Sequence, residues 1–563
     1  MADYSAALNE TFRKGVKGKN KGAVSAVIFN NEKILYSFRD GFIDKKKKLV
    51  PQENSLFMIG SNTKVFTALG IFRLIEDGKL SLDDPITKYI PEFSIKSRIG
   101  EYPVIIGDLL MHRAGIQCDL LPFMISDKGS YEDIIAAMKD TYRIAEPGKM
   151  FAYSNVGYTL LGVVEERITG MKYYDFIKSC ILDPLGIELY TMHEDNLPPE
   201  VSDRIARCYN KKGKKSIDMR SCMLPAGPHT YTTIGGLAKI GQLLLNDGEC
   251  NGVRLYKPET IQTMKTLKTQ EEVDNEAYCV GYGLMHHFLS PDYITGPTMG
   301  HGGDTTYQHA TFDFLPEEKI GVIVFTNFET GSGLSRELSR DLFNCYLKEA
   351  GYPEKPRKEN YVAFDPRECV RKYDTLSGPI EFRINDKGEL STEVSKVKFT
   401  LKKDENGWLV AKPTSIIGKI PPFSASLKGL KFKQATYYGN EVLVIQQRNL
   451  TQIVGDLYRE PGVNSAWLKA LGTYHPEDKA VKEMADKIEL VLKDGGVTAV
   501  LFHGGSKRPY CLDVISETEA ITKGFGRDSK QTIILQDEGN RYVLKADGAV
   551  FIRAKKGMIV SYK

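Results

Sequence analysis

The 563-residue chain is predicted to be α+β, with one mixed domain over 1–350 and two small antiparallel β domains over 351–460 and 461–563. Three observations predict this. Helical patterns and strand hairpins share the first 350 residues. A polar, proline-bearing stretch, AGYPEKPRKEN at 350–360, then interrupts the chain as a linker does. Beyond it come short alternating segments of strand period, with a second break at REPGVNS, 459–465. The length itself exceeds one core, at about 100–200 residues per domain.

The elements follow in order. Residues 23–44 read as a hairpin, two β-branched and aromatic runs flanking Asn30 to Lys33. A helix starts at Ser61, with Val65, Leu69 and Phe72 on one face and Gly78 as its stop. Further helices cover Val156 to Thr169, before Gly170, and Ile234 to Leu245, before NDGECNG. Residues 310–328 form a hairpin turning at 316–319, and a helix over 333–350 follows. In the tail, PIEFRI, KVKFTL, WLVAK and EVLVIQQ have the texture of an antiparallel barrel or sandwich. KIELVL, TAVLFH, CLDVI, TIILQ and RYVLK repeat that texture without repeating its letters.

Composition narrows the function. A net charge of +4 on this length gives no reason to expect nucleic acid or an anionic membrane, and the basic runs Arg13–Lys21 and Lys45–Lys48 read as solvated loops. No stretch reaches the roughly 18 apolar residues of a bilayer span, and the start, MADYSAALNETFRKGVKGKNKG, lacks an apolar signal core. The nine cysteines are odd in number, dispersed and never in CxxC, which predicts buried thiols in a reducing, cytoplasmic setting. The histidines include a His286-His287 pair but no HExxH or Cys/His quartet, so no metal is expected. Without GxxxxGK[ST] or a GxGxxG after a strand, no cofactor is expected either, and no GxSxG elbow is present. The expected partner is a small-molecule or short peptide substrate. The sequence does not speak to oligomeric state, and a homo-oligomer stays open.

The chemistry concentrates in three places. Ser61 and Lys64 stand three residues apart at a helix start, on one face. A serine hydroxyl needs a base in contact, and a lysine of depressed pKa can be one. A second S-x-x-K, Ser395–Lys398, lies in a strand pattern, where those positions face opposite ways. Downstream, Tyr153-Ser154-Asn155 precedes a helix: a phenol can carry a proton, and an amide can hold a carbonyl. Next, His301-Gly302-Gly303 precedes a strand, where glycines let a substrate backbone pair edge-on and leave the Asp304 N–H for an oxyanion. A second HGG, 503–505, sits between strand runs and reads as a hairpin turn; the alternative is a turn that reaches the cleft and limits substrate size. His112, in LLMHRAG, reads as packing at a helix end.

IGSNTK, YSN and HGG, in this order, resemble the serine β-lactamase and penicillin-binding-protein superfamily, closest to its class C-like branch of esterases, D-aminopeptidases and DD-peptidases. LLMHRAGI, PGKMFAYSNVGYTLLGVVEERITG, PAGPHTYTTIGGLAK and IGVIVFTN resemble its framing sequences, over roughly 20–345. The resemblance implies a β-lactamase/transpeptidase-like catalytic domain, an antiparallel sheet flanked by helices, with the two tails as β-barrels of the D-aminopeptidase type. It implies Ser61 as acylated nucleophile, Lys64 as its proton partner, and Tyr153 as general base and then acid. Asn155 would orient the acyl group, and the Ser61 and Asp304 N–H groups would form the oxyanion hole. His301 stands where many relatives carry a lysine, which puts recognition of a substrate carboxylate in doubt. Asp119, Asp127 and Asp304 are candidates to meet a substrate ammonium. The expected activity is D-aminopeptidase-like cleavage of small amides and peptides. An esterase or amidase, a β-lactamase or DD-peptidase, and an idle penicillin-binding-like scaffold are the alternatives.

Overall fold

The structure, a computed structural model, describes residues 3–218, 220–266, 280–286, 290–356, 360–414, 429–447 and 450–554. Cys279, His287 and linker residues 357–359 lie outside the described residues. Six strands form the central sheet: β1 (Ala23–Asn30), β2 (Ile34–Gly41), β3 (Met285–His286), β4 (Met299–Asp304), β5 (His309–Leu315) and β6 (Ile320–Thr326). Their order is β3-β4-β5-β6-β1-β2, with every neighbouring pair antiparallel.

Helices cover both faces. Val27 and Phe29 of β1 point into a core with α2 (Thr63–Glu76), α3 (Asn155–Thr169) and α4 (Ile234–Leu245). Val24, Ala26 and Ile28 point the other way, against Leu8 and Phe12 of α1 (Ser5–Val16) and Leu334 and Leu338 of α5 (Gly331–Glu349). Burial on both faces explains why β1, β5 and β6 read as near-continuous apolar runs.

The helix expected from Ser61 enters differently. Gly60 to Asn62 make a single 3-10 turn, and regular α-helix begins at Thr63. The cause is Gly60, whose φ of +53° brings the strand Phe57–Met58 directly into the turn. The helix α3 is bounded as its sequence indicates: Ser154 Oγ accepts from Gly157 N at 2.9 Å, and Gly170 ends it at φ +71°.

Each tail closes into an eight-stranded antiparallel barrel. The first spans 372–457 and is sealed by Tyr373 opposite Leu457; the second spans 472–554 and is sealed by His475 opposite Ile552. Closure removes the open edges that a sandwich would keep. Phe382, Phe399 and Phe432 fill the first barrel, and Trp467, Leu490 and Leu544 lie in the core of the second. The decoy Ser395 sits with Lys396 at positive φ, in the turn between strands Leu390–Val394 and Val397–Lys403, not within one strand. The second HGG is an exposed hairpin turn, with Gly504 and Gly505 at φ +55° and +83°. Among the described residues no helix is long and apolar enough to cross a membrane.

Candidate active site

The turn that carries Ser61 is pressed against the end of β4. A Cβ at Gly60 would lie 2.9 Å from Asp304 N, and one at Gly303 would lie 1.8 Å from Ile59 O. The lack of side chains at both positions therefore lets the Ser61 turn and the Asp304 backbone meet. Gly303 is used by the chain's own backbone on that side. The outer edge of β4 pairs β3 only at Met299 and Gly300, so Gly302 and Gly303 lie beyond the end of that ladder.

Ser61 Oγ and Lys64 Nζ are 3.2 Å apart, one helical turn along α2. Lys64 is fully buried, and its amine also meets Asn155 Oδ1 at 2.7 Å and the Ala226 carbonyl. Burial, helped by the charge of Arg527 and opposed by that of Asp119, pushes the Lys64 pKa well below the ordinary lysine value. The Tyr153 phenol hydrogen-bonds the Ser61 side chain, and the Lys64 nitrogen lies 4.8 Å from the Tyr153 ring centre. Burial pushes that phenol up, so it keeps its proton. Hydroxyl, amine and phenol thus share one pocket.

The ring of Tyr153 is held from behind. His112, at φ +57°, accepts the Ser154 N–H on Nδ1 at 3.0 Å, and its ring centre lies 4.3 Å from that of Tyr153. His301 is buried, 6.1 Å from Tyr153 between ring centres, with Nδ1 2.6 Å from the Gly302 carbonyl. Burial, reinforced by Lys64, lowers its pKa to about 3. His301 is therefore neutral over the physiological range and supplies no cation.

The acidic candidates are all engaged. Asn155 Nδ2 donates to Asp119 Oδ1 at 2.6 Å, and Arg527 Nη2 donates to Asp119 Oδ2 at 2.6 Å. Asp127 pairs with Arg220 at 2.7 Å and lies 3.6 Å from His193 Nε2. Asp304 takes His309 Nδ1 and Arg336 Nη2, each at 2.7 Å, so it is neither a solvated loop aspartate nor a vacant ammonium site. Asn155 likewise spends its oxygen on Lys64 and its nitrogen on Asp119. The cleft beside Ser61 has a volume of about 90 Å³ and is lined by Met58, Met124, Met223, Gly227, Asp218 and Thr305.

The partners of Asp304 hold its carboxyl at about 2, below its ordinary 3.8, against the opposing effect of burial. A depressed carboxyl contributes stability that is present above its unfolded pKa and lost as pH falls through the folded one. The unfolding temperature should therefore fall as pH drops from about 4 to about 2 in the natural protein. The Asp304→Asn variant should be less stable at neutral pH and show a flatter acid limb.

Two contributors carried no sequence signal. Asp218, in the loop after KKGKKS, accepts from Thr305 Oγ1 and lines the cleft. Arg527 lies 408 residues beyond Asp119, inside a stretch that reads only as strand and turn.

Residues 8–342 match the protein family described as Beta-lactamase. Among curated proteins, "Penicillin-binding protein 4" of Amycolatopsis lactamdurans is 25% identical over 342 residues, covering 58% of this chain and 85% of that protein. "Protein flp" of Staphylococcus aureus (strain MW2) is 30% identical over 182 residues, 32% of this chain and only 36% of its own length. Among solved structures, that of SurE with D-Leu superposes with a TM-score of 0.57 at 21% identity, over 81% of this chain and 99% of that one. The octameric penicillin-binding protein homologue from Pyrococcus abyssi gives 0.51 at 20% identity, over 98% and 99%. At such identities these two likenesses concern the fold, and the second takes in both barrels.

Proposed function

The chain belongs to the Beta-lactamase family, and from that premise we propose that it is a serine hydrolase that cleaves small amides and peptides through an acyl-enzyme on Ser61. The observation that carries the reading is a wholly buried lysine amine 3.2 Å from the Ser61 hydroxyl. Lys64, whose hold on its proton burial weakens, takes the Ser61 proton as Oγ bonds to the substrate carbonyl carbon. The carbonyl oxygen becomes an oxyanion facing the Ser61 and Asp304 N–H groups. Tyr153, which holds its proton, gives it to the leaving nitrogen as the carbon–nitrogen bond breaks, and the Lys64 ammonium beside it stabilises the phenolate. This assigns the first base to Lys64, where the family resemblance implies Tyr153, because burial moves the two pKa values in opposite directions. Water then adds to the ester carbonyl carbon and gives a proton to the Tyr153 phenolate, and the bond to Ser61 Oγ breaks as Oγ takes its proton back from Lys64, which restores all three groups.

The finer reading is D-aminopeptidase-like, in the class C-like branch, and is supported by the two appended barrels. The pairing of Asp119, Asp127 and Asp304 weighs against a free-amino anchor at any of them. The neutrality of His301 weighs against a β-lactamase or DD-peptidase that anchors its carboxylate there. An esterase or amidase of other specificity needs neither anchor. A cleft of about 90 Å³ supports a small acyl group in each case. The likeness to an octameric homologue supports a homo-oligomer, which sedimentation velocity would detect, and the free thiols support a reducing, cytoplasmic setting.

Intact-protein mass spectrometry after a fluorophosphonate should show one adduct, absent from Ser61→Ala. An adduct that persists in that variant would remove Ser61 from its role. Turnover of a panel of D- and L-amino-acid p-nitroanilides, p-nitrophenyl esters and a chromogenic cephalosporin then separates the specificities. An adduct that forms without turnover of any member would favour the idle scaffold.

A further inference from the structure

Two lysine-rich turns far apart in the sequence are neighbours in the fold. Lys45–Lys48 make the turn of a small hairpin closed by Asp44 and Leu49. Lys211, Lys212 and Lys214 lie in the turn of a second hairpin, in which Tyr209 pairs with Lys215. The turns are locked together. Lys45 N donates to Tyr209 Oη at 2.7 Å and Lys45 Nζ to the Gly213 carbonyl at 3.0 Å, with that amine 4.5 Å from the Tyr209 ring centre. Lys21 joins them from a third segment: a Cβ at Gly213 would lie 2.8 Å from Lys45 Nζ and 3.6 Å from the Lys21 carbonyl oxygen.

Little acid offsets this group. Asp203 pairs with Lys47 at 2.5 Å, and Glu329 accepts the Lys211 N–H at 2.8 Å. Lys21, Lys46, Lys48, Lys212, Lys214 and Lys215 are exposed and pair with no acid among the described residues. The crowding reaches Lys45, whose pKa is lowered by burial and then by the charge of Lys21. A chain-wide net charge of +4 hides the patch, because acids elsewhere cancel it. Large apolar side chains stand at its margins. Phe42 and Val50 flank the first turn, 39% and 46% exposed, and Ile217, two residues past Lys215, is 84% exposed. Phe42 N also donates to the Gly22 carbonyl at 2.8 Å, which ties it to the Lys21 segment.

The chemistry of the patch selects its partner. Its unpaired cations are all lysines, hydrated point charges without the fork that reads a single phosphate, and they suit a diffuse negative surface. Aliphatic side chains such as Val50 and Ile217 offer no ring for a base to stack on, but they enter the boundary between headgroups and acyl chains of a bilayer. We propose that this face docks peripherally on an anionic lipid surface, with the lysines over the headgroups and Phe42, Val50 and Ile217 in the acyl boundary. Charge and apolar contact then act together, as stable attachment to a membrane surface requires. The patch adjoins the cleft, since Asp218, which follows Ile217, lines it. Docking therefore brings the candidate active site to the lipid–water boundary. It stands independently of the acyl-enzyme chemistry.

The test is flotation of the full chain with vesicles of phosphatidylcholine alone and with about 30% phosphatidylglycerol, an anionic lipid. Binding to the anionic vesicles should be at least about 100-fold tighter, and should weaken by about 10-fold or more between about 50 mM and about 300 mM NaCl as the charges are screened. Lys46→Gln with Lys48→Gln, and separately Lys212→Gln with Lys214→Gln, should each weaken it by about 10- to 30-fold, since one lysine near such a surface contributes about 5-fold. Ile217→Ser should weaken it by about 5-fold or more and leave the salt dependence unchanged. No preference for the anionic vesicles, no effect of salt, a double lysine variant that binds as the natural protein does, or an unchanged affinity in Ile217→Ser overturns the proposal. Binding of a single-stranded oligonucleotide without binding to anionic vesicles overturns it in favour of a nucleic-acid surface. All the substituted side chains are exposed, so the unfolding temperature should hold in each variant. The salt series tests the charge with no substitution at all.

Discussion

Ser61→Ala and Lys64→Met are each expected to lower kcat/KM on the best panel substrate by about 10⁴-fold or more, and the double variant is expected to lose no more than the worse single one. The non-additivity follows from the geometry. With the amine 3.2 Å from the hydroxyl, either group without the other has no proton to give or take. Losses that multiply in the double variant would mean that the two act in separate steps. Stability should move independently of activity. Burial lowers the Lys64 pKa well below 10.5, so between the folded value and 10.5 the folded protein gives up a proton that the unfolded chain keeps. The unfolded state then binds more protons, and stability rises with pH between the folded pKa and about 10.5. Lys64→Met removes that dependence, so its Tm should climb less between neutral and alkaline pH. It also deprives Asn155 Oδ1 and the Ala226 carbonyl of a donor, which offsets part of the gain. A Tm that rises equally steeply in both proteins would show that Lys64 is charged in the folded state.

Tyr153→Phe is expected to separate substrates by their leaving groups. General acid catalysis is worth about 10²–10⁴-fold, and an amine must be protonated as it departs. Loss of the phenol should therefore cost p-nitroanilides and peptides the whole of that factor. A p-nitrophenolate leaves without a proton, so ester cleavage should fall by roughly 10-fold or less. The ring itself is retained, and with it the contacts to His112 and to Arg527, so folding should be preserved. Equal losses on amide and ester would place Tyr153 in the first proton transfer, where the family resemblance puts it, and would return the burial argument for Lys64 to question.

How much of this was legible in the chain follows from distance along it. The interval from Ser61 to Lys64 is one helical turn, so a local pattern is enough to set hydroxyl and amine together. Ser154 and Gly170 bound α3 because capping is decided within a few residues. Strand period marks the tails as β, yet it does not choose between sandwich and barrel, because closure depends on which first and last strands pair. The start of α2 moved by two residues because Gly60 accommodates a left-handed backbone against β4, a contact made some 240 residues later.

What the chain determined by itself is therefore the set of reactive groups and the local frames that present them: Ser61 with Lys64, Tyr153 with Asn155, and the glycines before Asp304. Their protonation, and their company, were decided only by the tertiary structure. His301 is neutral, and Lys64 holds its proton less tightly than an exposed lysine does, because burial withdraws water from both, and burial is a property of the packed molecule. Asp119 is engaged because Arg527 reaches it from the second barrel. No spacing rule couples residues hundreds of positions apart, since charge acts through space and not along the backbone.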